Sequence, residues 1–143
     1  MANYYGVTRT NYFAVKNADA FREELSKYPV EVITKESISV NTGEKATLYG
    51  FIDSDIDGGG NIEYYYDEEA GETSESMVWE EFFTRHLADG WVAVITHSGA
   101  EKHRYISGYS TAYNNKGEVI HIDLTDIYTL ANDLGENLTH AQY

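Results

Sequence analysis

The sequence predicts an α+β domain: a two-layer sandwich, mainly an antiparallel sheet with helices on one face, ferredoxin-like or a relative of that fold. Three observations predict it. Segments with strand-like alternation are interrupted at irregular intervals by three segments whose apolar residues recur at helical spacing. Glycine and asparagine mark short turns between neighbouring strands, as in hairpins. The length of 143 residues is that of one domain, so residues 1–143 are expected to form a single unit with a loose tail from about residue 136.

Seven strands are predicted from runs of β-branched and aromatic residues. They occupy residues 11–16, 30–34, 46–52, 62–66, 91–97, 103–113 and 118–124. The fourth is expected to close a hairpin with a long tip on the third. Residues 91–97 are apolar on both faces, which predicts a central position in the sheet. The last two strands flank a turn signal at residues 114–117 and predict a hairpin. The last strand is expected to turn its apolar side chains toward the core, namely Ile120, Ile122 and Leu124.

Three helices are predicted from apolar side chains that recur every three or four residues. They occupy residues 18–27, about 77–88, and a last span that Thr125 caps and that runs through residue 134. Asn17 is suited to cap the first helix, which Pro29 ends. Gly90 and Gly135 are suited to end the second and third. The stripes expected to be buried are Phe21, Leu25 and Tyr28; Val78, Trp79, Phe82, Phe83 and Leu87; and Ile127, Leu130, Ala131 and Leu134.

The chain is strongly acidic, and its charge is unevenly distributed. Twenty-four acids against ten bases give a formal net charge of −14. Between Lys45 and Arg85 lie 39 residues without a Lys or Arg, and they contain eleven of the acids. An ordinary solvated surface mixes both signs, so this block predicts a docking surface for a basic protein; the alternative is that the charge serves solubility alone. Such charge repels nucleic acid and anionic membranes, so neither is expected to bind directly.

Composition also bears on cellular location. The chain contains no cysteine, which excludes disulfides, thiolate metal sites and a cysteine nucleophile. The N-terminus lacks the basic start and apolar stretch of a signal peptide, and no run approaches the ~18 apolar residues of a membrane span. A soluble protein of the cytoplasm is therefore expected.

The sharpest local motif is Asp-Ser-Asp-Ile-Asp-Gly at residues 53–58. It matches the opening of an EF-hand calcium loop, in which alternate acids supply oxygen ligands and Gly58 permits the turn. The metal-binding side chains would be those of Asp53, Asp55 and Asp57. The acid required at the twelfth position is absent, because Tyr64 stands there and Glu63 comes one residue early. The motif therefore predicts either a flexible acidic loop or a looser calcium site in a hairpin tip.

Two histidines and a carboxylate lie close together in the sequence at His97, Glu101 and His103. These groups are the ingredients of a metal or acid–base site. No known metal-binding spacing supports that interpretation, and strand-end histidines are usually ordinary hydrogen-bonded residues. No catalytic residue is therefore assigned, and the chain is expected to be a binding protein, not an enzyme.

Thirteen tyrosines are the second unusual feature of the composition. Strand alternation places Tyr105, Tyr109 and Tyr113 on one side of their strand, and Tyr64 and Tyr66 on one side of another. These side chains either fill part of the core or form an exposed face. Platforms that stack RNA bases are basic, which this chain is not. A surface that combines tyrosines with carboxylates is suited to bind a protein surface rich in Arg and Lys, through cation–π contacts and ion pairs.

Three stretches resemble a family of small acidic proteins from phages and conjugative elements of Gram-positive bacteria. They are YYGVTRTNYFAVK at residues 4–16, GAEKHRY at residues 99–105 together with Gly108, and IDL at residues 122–124. Because they touch both ends of the chain, the resemblance is to the whole domain. It implies a mobile-element origin. Small acidic proteins of that origin often inhibit host defence nucleases, some by imitating the phosphate charge of DNA. The resemblance carries no residue role.

Charge, tyrosines and resemblance together favour an inhibitor of a nucleic-acid-binding host defence protein, such as a CRISPR effector or a restriction enzyme. An anti-CRISPR or anti-restriction DNA mimic of this kind would occlude the basic groove of its partner and needs no cofactor. The predicted partner-binding residues are Asp53, Asp55, Asp57, Glu63, Tyr64, Tyr65, Tyr66, Asp67, Glu68, Glu69, Glu72 and Glu75, with the three tyrosines as buried anchors. The alternative is a small ligand- or calcium-binding module that uses the loop at residues 53–57.

Overall fold

The computed structural model describes residues 5–38, 42–53, 63–64, 75–76, 78–101 and 105–139. Within these residues the fold is of the α+β class, as predicted, with a six-stranded antiparallel sheet. The strands are β1 (Tyr5–Thr10), β2 (Val30–Ile38), β3 (Lys45–Asp53), β4 (Glu63–Tyr64), β5 (Glu75–Ser76), β6 (Ala93–Glu101), β7 (Tyr105–Tyr113) and β8 (Val119–Asp123). The helices are α1 (Ala18–Leu25), α2 (Trp79–His86) and α3 (Asp126–Leu130), followed by a 3₁₀ turn (Asn132–Leu134). The large sheet has the order β2-β3-β1-β6-β7-β8.

Helix α1 begins where the sequence predicts. The side chain of Asn17 accepts a hydrogen bond from the backbone N–H of Ala20 at 3.0 Å, which satisfies one of the unpaired donors of the first turn. Phe21 and Leu25 are fully buried and Tyr28 packs against the same core. The predicted cap and apolar stripe are therefore confirmed.

Helix α2 supplies most of the core through its aromatic residues. Phe82 and Phe83 are fully buried, and so is Leu87 immediately after the helix. The ring of Phe82 lies 5.7 Å from that of Phe21 on α1, centroid to centroid. The predicted stripe is confirmed except for Val78, which is the N-cap residue and is 52% exposed. A cluster of aromatic rings therefore joins the two helices to each other.

The Trp79 indole connects the beginning of α2 to the end of β3. It stacks on the Phe51 ring at 5.0 Å between centroids with an interplanar angle of 16°. Offset stacking of this kind adds about 0.5–1.5 kcal/mol to the area buried. The two points of the fold between which residues 54–77 run are thus held against each other.

The chain leaves β1 through a one-residue bulge. Arg9 lies opposite Ile52, but Phe13 lies opposite Tyr49, so one more residue stands on the first strand than on β3 between these pairs. The strand predicted at residues 11–16 is wrong in its position. The regular strand is Tyr5–Thr10, and the residues after it make only isolated pairs.

Polar side chains satisfy the backbone groups near this bulge. The Asn11 side chain donates to the carbonyl of Val92 at 3.0 Å and accepts from the N–H of Val94 at 2.8 Å, as a strand backbone would. The Thr10 hydroxyl accepts a hydrogen bond from the N–H of Phe51 at 3.0 Å. The side chains of Asn11 and Thr10 therefore supply hydrogen bonds to backbone groups beside the bulge, where the regular ladder is interrupted.

The small hairpin differs from the prediction. Strand β4 pairs with β5, in the register Glu63 opposite Ser76 and Tyr64 opposite Glu75, and not with β3. Alternation within residues 62–66 identified the strand, but no local signal identifies its partner. The central position of β6 and the β7–β8 hairpin are confirmed, with Gly117 at φ 82° in the turn.

The last strand lies at the edge of the sheet and is largely exposed on both faces, so the apolar side chains predicted to face the core are not buried. His121 lies on the core face, where its Nδ1 is 2.7 Å from the Thr111 hydroxyl. Ile120 and Ile122 are 72% and 60% exposed, and Leu124 is exposed as well. Alternation along a strand separates two faces but does not say which of them other elements cover, so this part of the prediction was wrong.

Helix α3 is shorter than predicted and covers no core. It ends at Leu130, and the 3₁₀ turn completes the predicted span. None of its residues is buried; Leu130 is 77% and Leu134 is 88% exposed. In the described part of the chain, no helix combines the length and apolar character needed to cross a lipid bilayer.

Candidate functional site

The acidic segment, residues 53–81, begins and ends on ordered elements. Asp53 is the last residue of β3, and Glu80 and Glu81 occupy the first turn of α2. Of the predicted partner-binding residues, the structure also gives the backbone of Glu63, Tyr64 and Glu75. The others lie outside the described residues, namely Asp55, Asp57, Tyr65, Tyr66, Asp67, Glu68, Glu69 and Glu72.

The β4–β5 pairing brings together predicted site residues that lie eleven positions apart in sequence. Tyr64 is directly opposite Glu75 in an antiparallel ladder. Residues so placed have Cα atoms about 4.5–5.5 Å apart. An aromatic residue and a carboxylate are thus neighbours on the backbone, which is the pairing expected at a surface that binds Arg or Lys.

Helix α2 carries the C-terminal end of the acidic segment on a rigid support. Glu80 and Glu81 are exposed, while the next two residues, Phe82 and Phe83, are buried in the core. Carboxylates in the first turn of a helix also interact favourably with the helix dipole. Both acids belong to the charged block but are not among the predicted partner-binding residues. The helical pattern could have identified them, because they lie between apolar residues of the predicted buried stripe and so on the exposed side of the predicted helix.

A cleft of about 380 Å³ adjoins these two carboxylates. Its lining residues are Glu80, Glu81, Thr84, Arg85 and Gly117. Arg85 already pairs with Glu24 of α1 at 2.7 Å. It is a shallow, open depression in which the Glu80 and Glu81 carboxylates lie beside one guanidinium, that of Arg85.

The N-terminal end of the acidic segment lies beside a polar row on the core face. In the strand register Thr8, His97, Tyr109 and Asp123 are successive neighbours across four strands. His97 is 2% exposed. Its Nδ1 lies 2.8 Å from the Thr8 hydroxyl, and its ring stacks on that of Tyr109 at 5.2 Å. Burial lowers the pKa of His97, and the charge of Asp53 acts in the opposite direction.

The predicted grouping of His97 with Glu101 and His103 is only partly within the described residues. Glu101 ends β6 opposite Tyr105, and His103 lies outside them. His97 contacts Thr8 and Tyr109, residues that the sequence did not associate with it. No group of three His, Asp or Glu suited to a metal ion occurs in the described ranges.

A second buried histidine bridges the two helices. His86 Nε2 lies 3.1 Å from Glu24 Oε2, and Glu24 also binds Arg85. Burial lowers the pKa of His86, while the carboxylate of Glu24 opposes that shift. No pattern in the sequence pairs residues so far apart along the chain.

Two of the tyrosines expected on one side of β7 lie on the core face. Tyr113 packs against Phe83 at 5.1 Å between centroids, and Tyr109 packs against His97. Both are half-buried. For these two, the core-filling interpretation is the one that the structure supports.

Acidification is expected to destabilise the fold because of His97 and His86. Their pKa values are lowered in the folded state relative to the ordinary value of about 6.5 in the unfolded chain. Below that pH the unfolded state binds more protons, so the free energy of unfolding falls as the pH drops toward the lowered pKa values and is restored above about pH 6.5. Urea unfolding at several pH values between 7.5 and 5.5 measures the slope of the free energy of unfolding against pH.

The variant His97→Gln, which retains a hydrogen-bonding group for Thr8, should have a smaller slope over the same pH range. His86→Gln should remove a further part of it. A slope that stays unchanged in both variants would assign the pH dependence to other groups.

No protein-family model, curated protein or solved structure matches this chain.

Proposed function

We propose that this chain is an acidic binding protein of phage or mobile-element origin that inhibits a host defence protein in the cytoplasm of the host cell. It occludes the basic nucleic-acid groove of a CRISPR effector or a restriction enzyme. The observation that carries the proposal is the acidic segment, in which eleven carboxylates lie between Lys45 and Arg85 without an intervening base. A groove that binds phosphates presents the complementary charge.

The placement of the segment supports docking by charge. Glu80 and Glu81 project from a helix whose other side is held by the aromatic core, so their carboxylates need little ordering on binding. In this proposal, Arg or Lys side chains of the partner approach these two exposed carboxylates across the shallow depression beside them. Tyr64, whose backbone pairs with that of Glu75, is the aromatic anchor in this proposal.

We also propose that the central part of the fold is ferredoxin-like, with both long helices on one face of the sheet. Apart from the small hairpin, the element order is β1-α1-β2-β3-α2-β6 and the corresponding strand order is β2-β3-β1-β6, which is the β-α-β-β-α-β arrangement. The contact between Phe21 and Phe82 supports a common face for α1 and α2. Strands β7 and β8 extend the sheet at one edge.

A plaquing assay tests the proposed function. A phage is plated on bacteria that carry either a Cas9-type effector programmed against it or a restriction enzyme that cuts its DNA, with and without expression of this protein. Restored plaquing against one defence, and not in cells without that defence, is the expected result. Unchanged plaquing against both, with the protein present in folded form, would reject the proposal for these two classes.

Binding to the purified defence protein should depend steeply on salt. The Debye length falls from about 10 Å at 0.1 M salt to about 3 Å at 1 M, so an interface formed by exposed carboxylates weakens over this range. Affinity that does not change with salt would exclude charge mimicry even if inhibition were observed.

The competing proposal is a calcium-binding module at residues 53–57. The specific observation in its favour is that Asp53, the first acid of the motif, is held at the end of β3. Titration calorimetry with calcium distinguishes the two proposals. Heat of binding that disappears in the Asp55→Asn variant would support the module, and no heat at millimolar calcium would remove it.

A further inference from the structure

The outer face of the sheet is an apolar surface that the described residues leave open. We define it as the side of β1, β6, β7 and β8 opposite the aromatic core. The strand register makes neighbours of Val7, Ser98 and Gly108, and the backbone N–H of Leu124 binds the Gly108 carbonyl at 3.0 Å. The exposed aliphatic side chains on this face are Val7, Val92, Ile106, Ile120, Ile122 and Leu124.

Small residues between these aliphatic side chains make the outer face grooved. Thr96, Ser98, Gly108 and Ser110 lie at its centre. A Cβ placed on Gly108 would come within 3.0 Å of the Leu124 side chain, so Leu124 lies directly over that glycine. Beside it is a groove of about 420 Å³ whose walls include Val7, Ile106 and Leu124.

The C-terminal stripe is a second exposed apolar surface on the same chain. We define it as Ile127, Leu130 and Leu134, which follow one another at helical spacing and are all more than half exposed. Helix α3 has five residues and buries none of them. Helices of this length are not stable alone in water and depend on packing of an apolar face. Within the described residues, the stripe is not buried against its own sheet, so it is available to pack on another surface.

The charge distribution indicates which molecule that is. Among the described residues of the four strands, the outer face carries no acidic side chain, and Arg9 is its one charged residue. The whole chain has a net charge of −14, so two copies repel each other wherever their acidic surfaces meet. On the outer face of these four strands, a second copy therefore meets no carboxylate of the described strand residues.

We propose that the chain forms a two-fold symmetric homodimer in which the C-terminal stripe of each copy packs into the grooved outer face of the other. The outer face presents six aliphatic side chains that are each at least half exposed, and the stripe adds three more. A standard interface buries about 800 Å² per partner, whereas the largest apolar patch of a typical monomer covers about 300–600 Å². In a two-fold symmetric dimer each stripe covers the outer face of the other copy, so the same contact buries both apolar surfaces of both copies. This inference does not depend on the proposed function.

Sedimentation equilibrium of the full chain tests the proposal. At physiological salt, the wild-type protein is expected to be dimeric at about 20 μM and above, which corresponds to a Kd of about 1 μM or tighter. The double variant Leu130→Glu with Leu134→Glu, and separately Ile122→Glu, should each be monomeric at that concentration.

Because all three replaced side chains are exposed within one copy, the variants should keep the circular dichroism spectrum of the fold. The matched control is Thr129→Glu with Asn132→Glu, which adds the same charge beside the stripe at exposed positions and should remain dimeric. A wild-type chain that is monomeric at about 200 μM, or dimers that persist in both the stripe and the face variants, would overturn the proposal.

Discussion

Replacing Phe82 with alanine is expected to lower the free energy of unfolding by about 3–5 kcal/mol. The ring of Phe82 is fully buried and contacts aromatic rings of α1, α2 and β3. Its nearest neighbours by ring centroid are His86 at 4.7 Å, Phe83 at 5.2 Å, Trp79 at 5.3 Å, Phe21 at 5.7 Å and Phe51 at 6.5 Å. Alanine would leave a cavity between elements that cannot collapse around it. Since domains of this size are stable by about 5–15 kcal/mol, the loss is a large share of the total.

Urea unfolding followed by tryptophan fluorescence measures this change, with Trp79 as a probe inside the cluster. The control is Val78→Ala, one turn of helix away and half exposed, which should change the free energy of unfolding by no more than about 0.5 kcal/mol. A loss below about 1 kcal/mol for Phe82→Ala would mean that the two helices do not share this core.

Neutralising the acidic segment is expected to abolish inhibition of the defence protein. The variant replaces six acids by their amides: Glu63, Asp67, Glu68, Glu69, Glu72 and Glu75. Exposed ion pairs contribute about 0.2–1 kcal/mol each, so the six together correspond to a loss of affinity of about tenfold to ten-thousandfold. The measurement is a binding isotherm with the purified partner at low salt, repeated as the plaquing assay.

The control for this variant removes the same amount of charge elsewhere. The amides replace six exposed acids outside the segment, namely Asp19, Glu23, Glu36, Glu44, Asp133 and Glu136. Both variants carry a net charge of −8 in place of −14. If the two lose affinity equally, net charge is responsible and the acidic segment is not a docking surface.

Elements with a strong local signal were predictable from the sequence. The Asn17 cap, the aromatic stripe of α2 and the β7–β8 hairpin each depend on residues within about a dozen positions of one another. Strand β1 had no such signal. Its inward-facing residues are Gly6, Thr8 and Thr10, which are small or polar. The alternation of apolar and polar residues that marks a strand is therefore absent.

Features that depend on distant residues were not predictable. His97 meets Thr8, 89 positions earlier, only because β1 and β6 are paired. The exposure of Ile120 and Ile122 depends on which face of the sheet the helices cover. The sequence of the strand itself does not determine that face. Of the candidate site, composition identified the acidic segment, but the cleft beside Glu80 requires the packing of α2 against the β7–β8 turn.

The stacking of Phe51 on Trp79 has a consequence for how such a protein can change over generations. Because the core itself joins β3 to α2, we expect the two attachment points of residues 54–77 to stay in place when those residues are exchanged. Selection can then exchange or lengthen these residues against a new target while leaving the rest of the domain untouched. The same architecture makes the domain a scaffold into which a foreign peptide can be grafted at this point.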